Sequence, residues 1–192
     1  MANKQFVVLL DMDSTVYDLL GPTLNYVNSR YGLNLSPANV TEWRWDKKYN
    51  INLTDFWNTE GTYLNLQPFA DAVEAIRQVQ EMGVRQIFLS SANFKYATEK
   101  FQAVERDFPF IGAKDVLLTG GNKDLVIGDV LVDDGPHNLA QFATTGGKVV
   151  LANMSGAPYC CYPQANDAIT KWHQYPAVVK SLMKSGWTES IG

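Results

Sequence analysis

The stretch Gln5-Phe-Val-Val-Leu-Leu10, ended at once by Asp11-Met-Asp13-Ser-Thr15, decides how this 192-residue chain folds. A short, continuous apolar run rich in β-formers and closed by charge reads as a strand buried on both faces. Three segments repeat the pattern, Arg85-Gln-Ile-Phe-Leu89, Val130-Leu-Val132 and Lys148-Val-Val-Leu151, with a weaker one at Asp115-Val-Leu-Leu118. Helical spacing fills the gaps: Phe69 to Met82 with Gly83 at its stop, Lys95 to Asp107, and a short helix after Pro136. Strands alternating with helices imply an α/β fold built on a doubly wound parallel sheet.

One stretch breaks the alternation. From Tyr17 to Gln67 no strand-like run occurs, while helix signals do, at Thr23 to Tyr31, at a Ser36-Pro37 start and at Thr54 to Glu60. The expected organisation is therefore a core of residues 1–16 and 68–192 carrying a helical insertion, residues 17–67, after the first strand. The insertion holds Trp43, Trp45, Tyr49, Phe56, Trp57 and Tyr63, more aromatic surface than a small helical subdomain needs for its own core. One more helix is expected from Pro176 to Lys184.

Composition narrows the function classes. With 46% hydrophobic and 19% charged residues the chain is an ordinary globular protein, and 16 Lys+Arg against 20 Asp+Glu leave no basic footprint for polymeric nucleic acid. Asp11 cuts the first apolar run too short for a membrane span or a signal-peptide core, so a cytoplasmic protein with no membrane partner is expected. Cys160 and Cys161 are adjacent and cannot staple distant parts of the fold; with only His137 and His173 besides, no thiolate or imidazole metal set exists. Any metal must be a hard cation held by carboxylates. Oligomeric state is not fixed by the sequence, and a homodimer stays open.

In open α/β sheets, ligands sit beyond the carboxyl ends of the strands. There this chain places Asp11 and Asp13, then Ser90 and Ser91, then Lys123 in the loop before the next strand, then Asp133 and Asp134. Clustered carboxylates repel unless a cation joins them, and an all-oxygen site that also binds phosphate suits Mg²⁺. With the metal and Lys123 neutralising phosphoryl oxygens, Asp11 can attack phosphorus to give an aspartyl-phosphate. Asp13 can protonate the leaving oxygen and later activate water.

These residues carry a family resemblance. Asp11-Met-Asp-Ser-Thr-Val16 resembles the first motif of the haloacid dehalogenase (HAD) superfamily, and Ser90, Lys123 and Asp133-Asp134 resemble its next three in order. A narrower resemblance, to the 5′(3′)-deoxyribonucleotidases, spans Phe6 to about Leu151. It rests on the insertion position and on Asn65-Leu-Gln-Pro68, Ile87-Phe-Leu-Ser-Ser91, Leu117-Leu-Thr119 and Leu131-Val-Asp-Asp-Gly-Pro136. It implies a Rossmann-like core with a small helical cap, Mg²⁺ dependence and hydrolysis of deoxynucleoside monophosphates. It also implies individual roles: Asp11 as nucleophile, Asp13 as acid/base with its backbone carbonyl on the metal, Ser90 and Ser91 on the phosphate, Lys123 balancing charge. Asp134 is expected on the metal directly and Asp133 behind it. Trp57 matches a base-contacting cap tryptophan, and Trp43 and Tyr63 are further candidates for that pocket.

The chain departs from the family at Ser14-Thr15, where Gly-Val is common, at Leu19, where some relatives carry an aromatic residue, and at Gly135, where a charged residue is frequent. These departures leave a sugar phosphate or phosphoserine open as the substrate. A receiver-like signalling module also clusters aspartates around Mg²⁺, but the long insertion after the first strand argues against it. For Trp43, Trp45 and Trp57, packing and base stacking look alike in sequence. His137 and His173 read as surface or packed residues, and the cysteines as reduced bystanders.

Overall fold

The computed structural model describes residues 5–92 and 94–188; residues 1–4, 93 and 189–192 of the expected core lie outside the described residues. The first strand, β1 (Val7–Leu10), is followed by α1 (Leu20–Tyr31), α2 (Trp45–Lys48) and α3 (Thr54–Trp57). Then come α4 (Ala72–Glu81), β2 (Arg85–Ser91), α5 (Ala97–Asp107), β3 (Val116–Thr119) and β4 (Val130–Asp133). The chain ends with α6 (Pro136–Ala143), β5 (Lys148–Ala152), β6 (Asp167–Ile169) and α7 (Tyr175–Thr188). The six strands form one sheet in the order β3-β2-β1-β4-β5-β6, and every pairing is parallel.

Alternation along β1 divides the core into two layers. Val8 and Leu10 pack with Ile76 and Val79 of α4, Val104 of α5 and Val179 of α7, while Leu9 packs on the other face with Leu139 and Phe142 of α6. Both faces are covered, which is why these strands read as unbroken apolar runs. Gly83, at φ 82°, ends the α4 segment in the left-handed conformation that glycine adopts without cost. The sixth strand was not expected. It is three residues long, includes Asp167 and pairs on one side only, so it lacks the apolar run that identifies the others.

Residues 20–57 add no strand to the sheet. Leu20, Leu24, Val27, Val40, Trp45, Ile51 and Leu53 form a separate apolar cluster, closed by Ala157 from the loop after β5. The chain leaves and re-enters the sheet side by side: Asp18 N–H donates to the Gln67 carbonyl (3.0 Å) and Phe69 N–H to that of Val16 (2.9 Å). No helix among the described residues is long and apolar enough to cross a membrane.

Candidate active site

The chain winds outward in one direction from β1 through β2 and β3, and in the other from β4 through β5 and β6. The crevice between β1 and β4 is therefore the switch point where ligands bind in such sheets. Leu10 lies opposite Val132, and Asp11 N–H donates to the Val132 carbonyl (2.9 Å), which sets Asp11 beside Asp133 at the two strand ends. One carboxylate oxygen each of Asp11, Asp133 and Asp134 lies within 4.8 Å of the other two.

Two buried lysines face these acids. Lys123 Nζ bonds the Asp11 carboxylate and lies 2.6 Å from Asp133 Oδ2. Lys100, from α5, bonds Asp13 Oδ2 (2.5 Å), Ser90 Oγ (2.8 Å) and the Ser91 carbonyl (2.7 Å). Asp133 is saturated further by Gly135 N–H (2.7 Å) and the Asn138 amide (3.0 Å). Asp134 accepts the phenol of Tyr159, and the Thr15 hydroxyl lies between Asp11 (3.2 Å) and Asp134 (3.3 Å).

Burial pushes the Asp11 and Asp13 carboxyls up, against the pull of Lys123 and Lys100 respectively. Burial, reinforced by the charges of Asp11 and Asp133, pushes Asp134 well above the usual carboxylate range. Burial opposes a charge on Lys123 too, yet Asp11 and Asp133 hold its ammonium above its ordinary value. Fully ionised, the four aspartates and two lysines carry two negative charges in excess. A divalent cation would remove that excess, and an all-oxygen donor set is the chemistry such a hard cation takes.

The sequence-expected residues Asp11, Asp13, Ser90, Ser91, Lys123, Asp133 and Asp134 thus meet at the strand ends. A cleft of about 730 Å³ opens above them, lined by Asp13, Ser91 and Asp134 on its floor and by Trp43, Trp57 and Tyr63 on its walls. Trp57 anchors its indole N–H on Thr23 Oγ1 (3.3 Å), and Trp43 packs on His137 and Tyr159 with ring centroids 4.5 and 5.5 Å away. Tyr63 lies under the Lys100 ammonium, 4.7 Å from its ring centre. Trp45 also borders the cleft, but it is buried in the apolar cluster of the insertion.

Sequence reading missed Lys100, Thr15 and Tyr159 as members of the site. For Lys100 a signal existed: with Ala103 and Val104 it shares the buried stripe of α5, where a charge must have a partner. Glu99, the preceding residue, accepts the backbone N–H groups of Gly61 (2.8 Å), Tyr63 (3.1 Å) and Leu64 (3.3 Å), fixing the returning insertion to α5. Ser14, where a glycine is common in the family it resembles, is held at φ 61°, a conformation costing a non-glycine residue about 1–2 kcal/mol.

Comparison with known proteins gives the chain a family. Residues 5–180 match the model of the family described as 5′ nucleotidase, deoxy (pyrimidine), cytosolic type C protein. A 5′(3′)-deoxyribonucleotidase of Clostridium acetobutylicum is 25% identical over 180 residues, covering 90% of this chain and 94% of that protein. One from Bacillus subtilis is 25% identical over 138 residues, covering 71% and 80%. Among solved structures, a HAD family hydrolase of Deinococcus radiodurans, with bound phosphate and sodium, superposes with a TM-score of 0.67 at 12% identity, covering 93% of this chain and 96% of that one. The chain has the fold of HAD hydrolases, is a phosphoric monoester hydrolase and belongs to the family of cytosolic type C deoxy-5′-nucleotidases.

Proposed function

We propose that the protein hydrolyses deoxynucleoside 5′-monophosphates, with Asp11 as nucleophile and Mg²⁺ as the cation. The observation that carries this reading is the Lys123 ammonium bridging Asp11 and Asp133 on the floor of a cleft walled by Trp43, Trp57 and Tyr63. Asp11, Asp134 and the backbone carbonyl of Asp13 would hold the ion, while Asp133, whose oxygens are occupied by Lys123, Gly135 and Asn138, braces the lysine. When bound, Mg²⁺ supplies positive charge to the phosphoryl oxygens.

Asp11 attacks phosphorus and the ester P–O bond breaks, leaving phosphate bonded to the Asp11 carboxylate. Asp13 gives its proton to the departing 5′ oxygen. It then takes one from the water that releases phosphate. Lys100 places Asp13 beside Ser90, whose hydroxyl, with Ser91, holds phosphoryl oxygens. The cleft volume falls in the range of small-molecule pockets, which suits a mononucleotide. Thr15 is fully buried against Asp11 and Asp134, whereas Ser14 and Leu19 line the cleft, so those two departures border the substrate and the sugar phosphates in the panel below test their effect.

Phosphate release from a panel of deoxynucleotides, ribonucleotides and sugar phosphates with Mg²⁺ tests the proposal. Turnover of dUMP or dTMP above that of any sugar phosphate is expected, with Asp11→Asn losing at least about 10⁴-fold in rate. No release from any nucleotide, with Asp11→Asn equal to wild type on every compound, would refute it.

A further inference from the structure

Tyr159 sits in the loop after β5, remote in sequence from every motif, and its phenol donates to Asp134 Oδ2. Three contacts fix it there. Its backbone N–H donates to the Val40 carbonyl (3.1 Å), its ring stands edge-on to Trp43, and it packs against the insertion's apolar cluster beside Ala157. Asp134 is braced from the other side as well, since its own N–H donates to Thr15 Oγ1 (3.0 Å). One carboxylate oxygen therefore carries a phenol, and the other faces the Thr15 hydroxyl that it shares with Asp11.

We propose that Tyr159 is a positioning residue that makes Asp134 a one-oxygen ligand and so selects a small divalent cation over a large one. It rests on the reading that Asp134 binds the ion directly. The phenol ties up Oδ2, whereas Oδ1 meets only the long contact to the Thr15 hydroxyl (3.3 Å), which can turn to Asp11 (3.2 Å) and leave Oδ1 as the one oxygen offered to the ion. That suits Mg²⁺, which needs near-ideal six-fold geometry at about 2.0–2.1 Å, and it penalises Ca²⁺, which favours longer bonds and two-oxygen chelation. Hydrogen-bond partners of ligands commonly tune metal affinity about 10–100-fold. The donor here also touches Trp43, so the same side chain borders both the ion and the cleft wall.

Calorimetric titration of the metal-free full chain with MgCl₂ and with CaCl₂ tests this, in wild type and in Tyr159→Phe, which keeps the ring on Trp43 and deletes the hydroxyl. Wild type should bind Mg²⁺ more tightly than Ca²⁺. The variant should lose about 10–100-fold in Mg²⁺ affinity and less in Ca²⁺ affinity, so that the ratio of the two falls. Equal weakening of both ions would mark Tyr159 as merely structural, and unchanged binding would mark it as a bystander; either result overturns the proposal. Wild type preferring Ca²⁺ overturns it without any variant. Wild type binding neither ion removes the metal reading on which it stands, and the proposal with it.

Discussion

The floor and the walls of the cleft are built by different rules. On the floor the charged side chains are answered and, apart from the partly exposed Asp13, buried: Lys123 by Asp11 and Asp133, Lys100 by Asp13, Ser90 and the Ser91 carbonyl. On the walls, Trp43 is 47% and Trp57 36% exposed, held by one hydrogen bond or by ring contacts. The floor takes its geometry from parallel strand pairing, which fixes neighbouring chain ends to each other. The walls take theirs from a four-residue helix and a loop. Buried charge tolerates little displacement because a misplaced partner leaves an ion unpaired in a poor solvent. An aromatic face that waits for a base must stay partly wet until the base arrives. On the proposed reading, bond breaking and substrate choice are thus carried by regions that can be perturbed separately.

Deleting a floor cation should have the largest effect. In Lys123→Met, Asp11 and Asp133 face each other without compensation, and breaking a buried pair of this kind costs about 3–5 kcal/mol. Urea unfolding of the metal-free protein should show that loss, together with loss of phosphatase activity. A change below about 1 kcal/mol, the scale of an exposed ion pair, would erase the distinction between floor and walls.

Metal and pH probe the same region with a smaller effect. Asp11, Asp13 and Asp134 have folded pKa values raised above the ordinary 3.8, so the native state keeps protons that the unfolded chain releases. Their contribution to stability is present below about pH 3.8 and is lost as pH rises through the raised values. A divalent cation replaces those protons, and at a hundred times its Kd it adds about 2.7 kcal/mol. Melting temperatures measured with EDTA and with Mg²⁺ from pH 5 to 8 should therefore diverge as pH rises. A constant gap would mean that the cation binds away from these carboxylates.

The same division governs what could be read from the sequence. Strands buried on both faces advertise themselves as apolar runs, so Asp11, Ser90 and Asp133 could be assigned to strand ends without coordinates. The three-residue edge strand at Asp167–Ile169 has no such run and was missed. Lys100 was hidden by the habit of placing lysines on the wet side of a helix, although its spacing to Ala103 and Val104 said otherwise. Tyr159 lies in a loop with no period to read. Nor does any local pattern separate Trp45, packed in the apolar cluster of the insertion, from the more exposed Trp43 and Trp57, because that cluster also draws on chain as distant as Leu20 and Ala157.

Trp57 offers the mildest test and the one that reaches the walls alone. Its indole N–H is tied to Thr23, which leaves the ring as a rigid face on the cleft while its partial exposure limits what it adds to folding. Stacking of a base on an aromatic side chain is worth about 1–3 kcal/mol, so Trp57→Ala should raise KM for a deoxynucleotide by about 5- to 150-fold. The turnover number should hold, since the floor is untouched and the lost contact is made equally in ground and transition states. Deoxyribose 5-phosphate, which lacks the base, should be hydrolysed by wild type and variant with the same KM. Trp57→Phe should fall between the two, because a smaller ring keeps part of the stacked area and forfeits the anchor on Thr23. If both substrates suffered alike, Trp57 would be packing the insertion, and selection of the base would have to be sought at Trp43 and Tyr63.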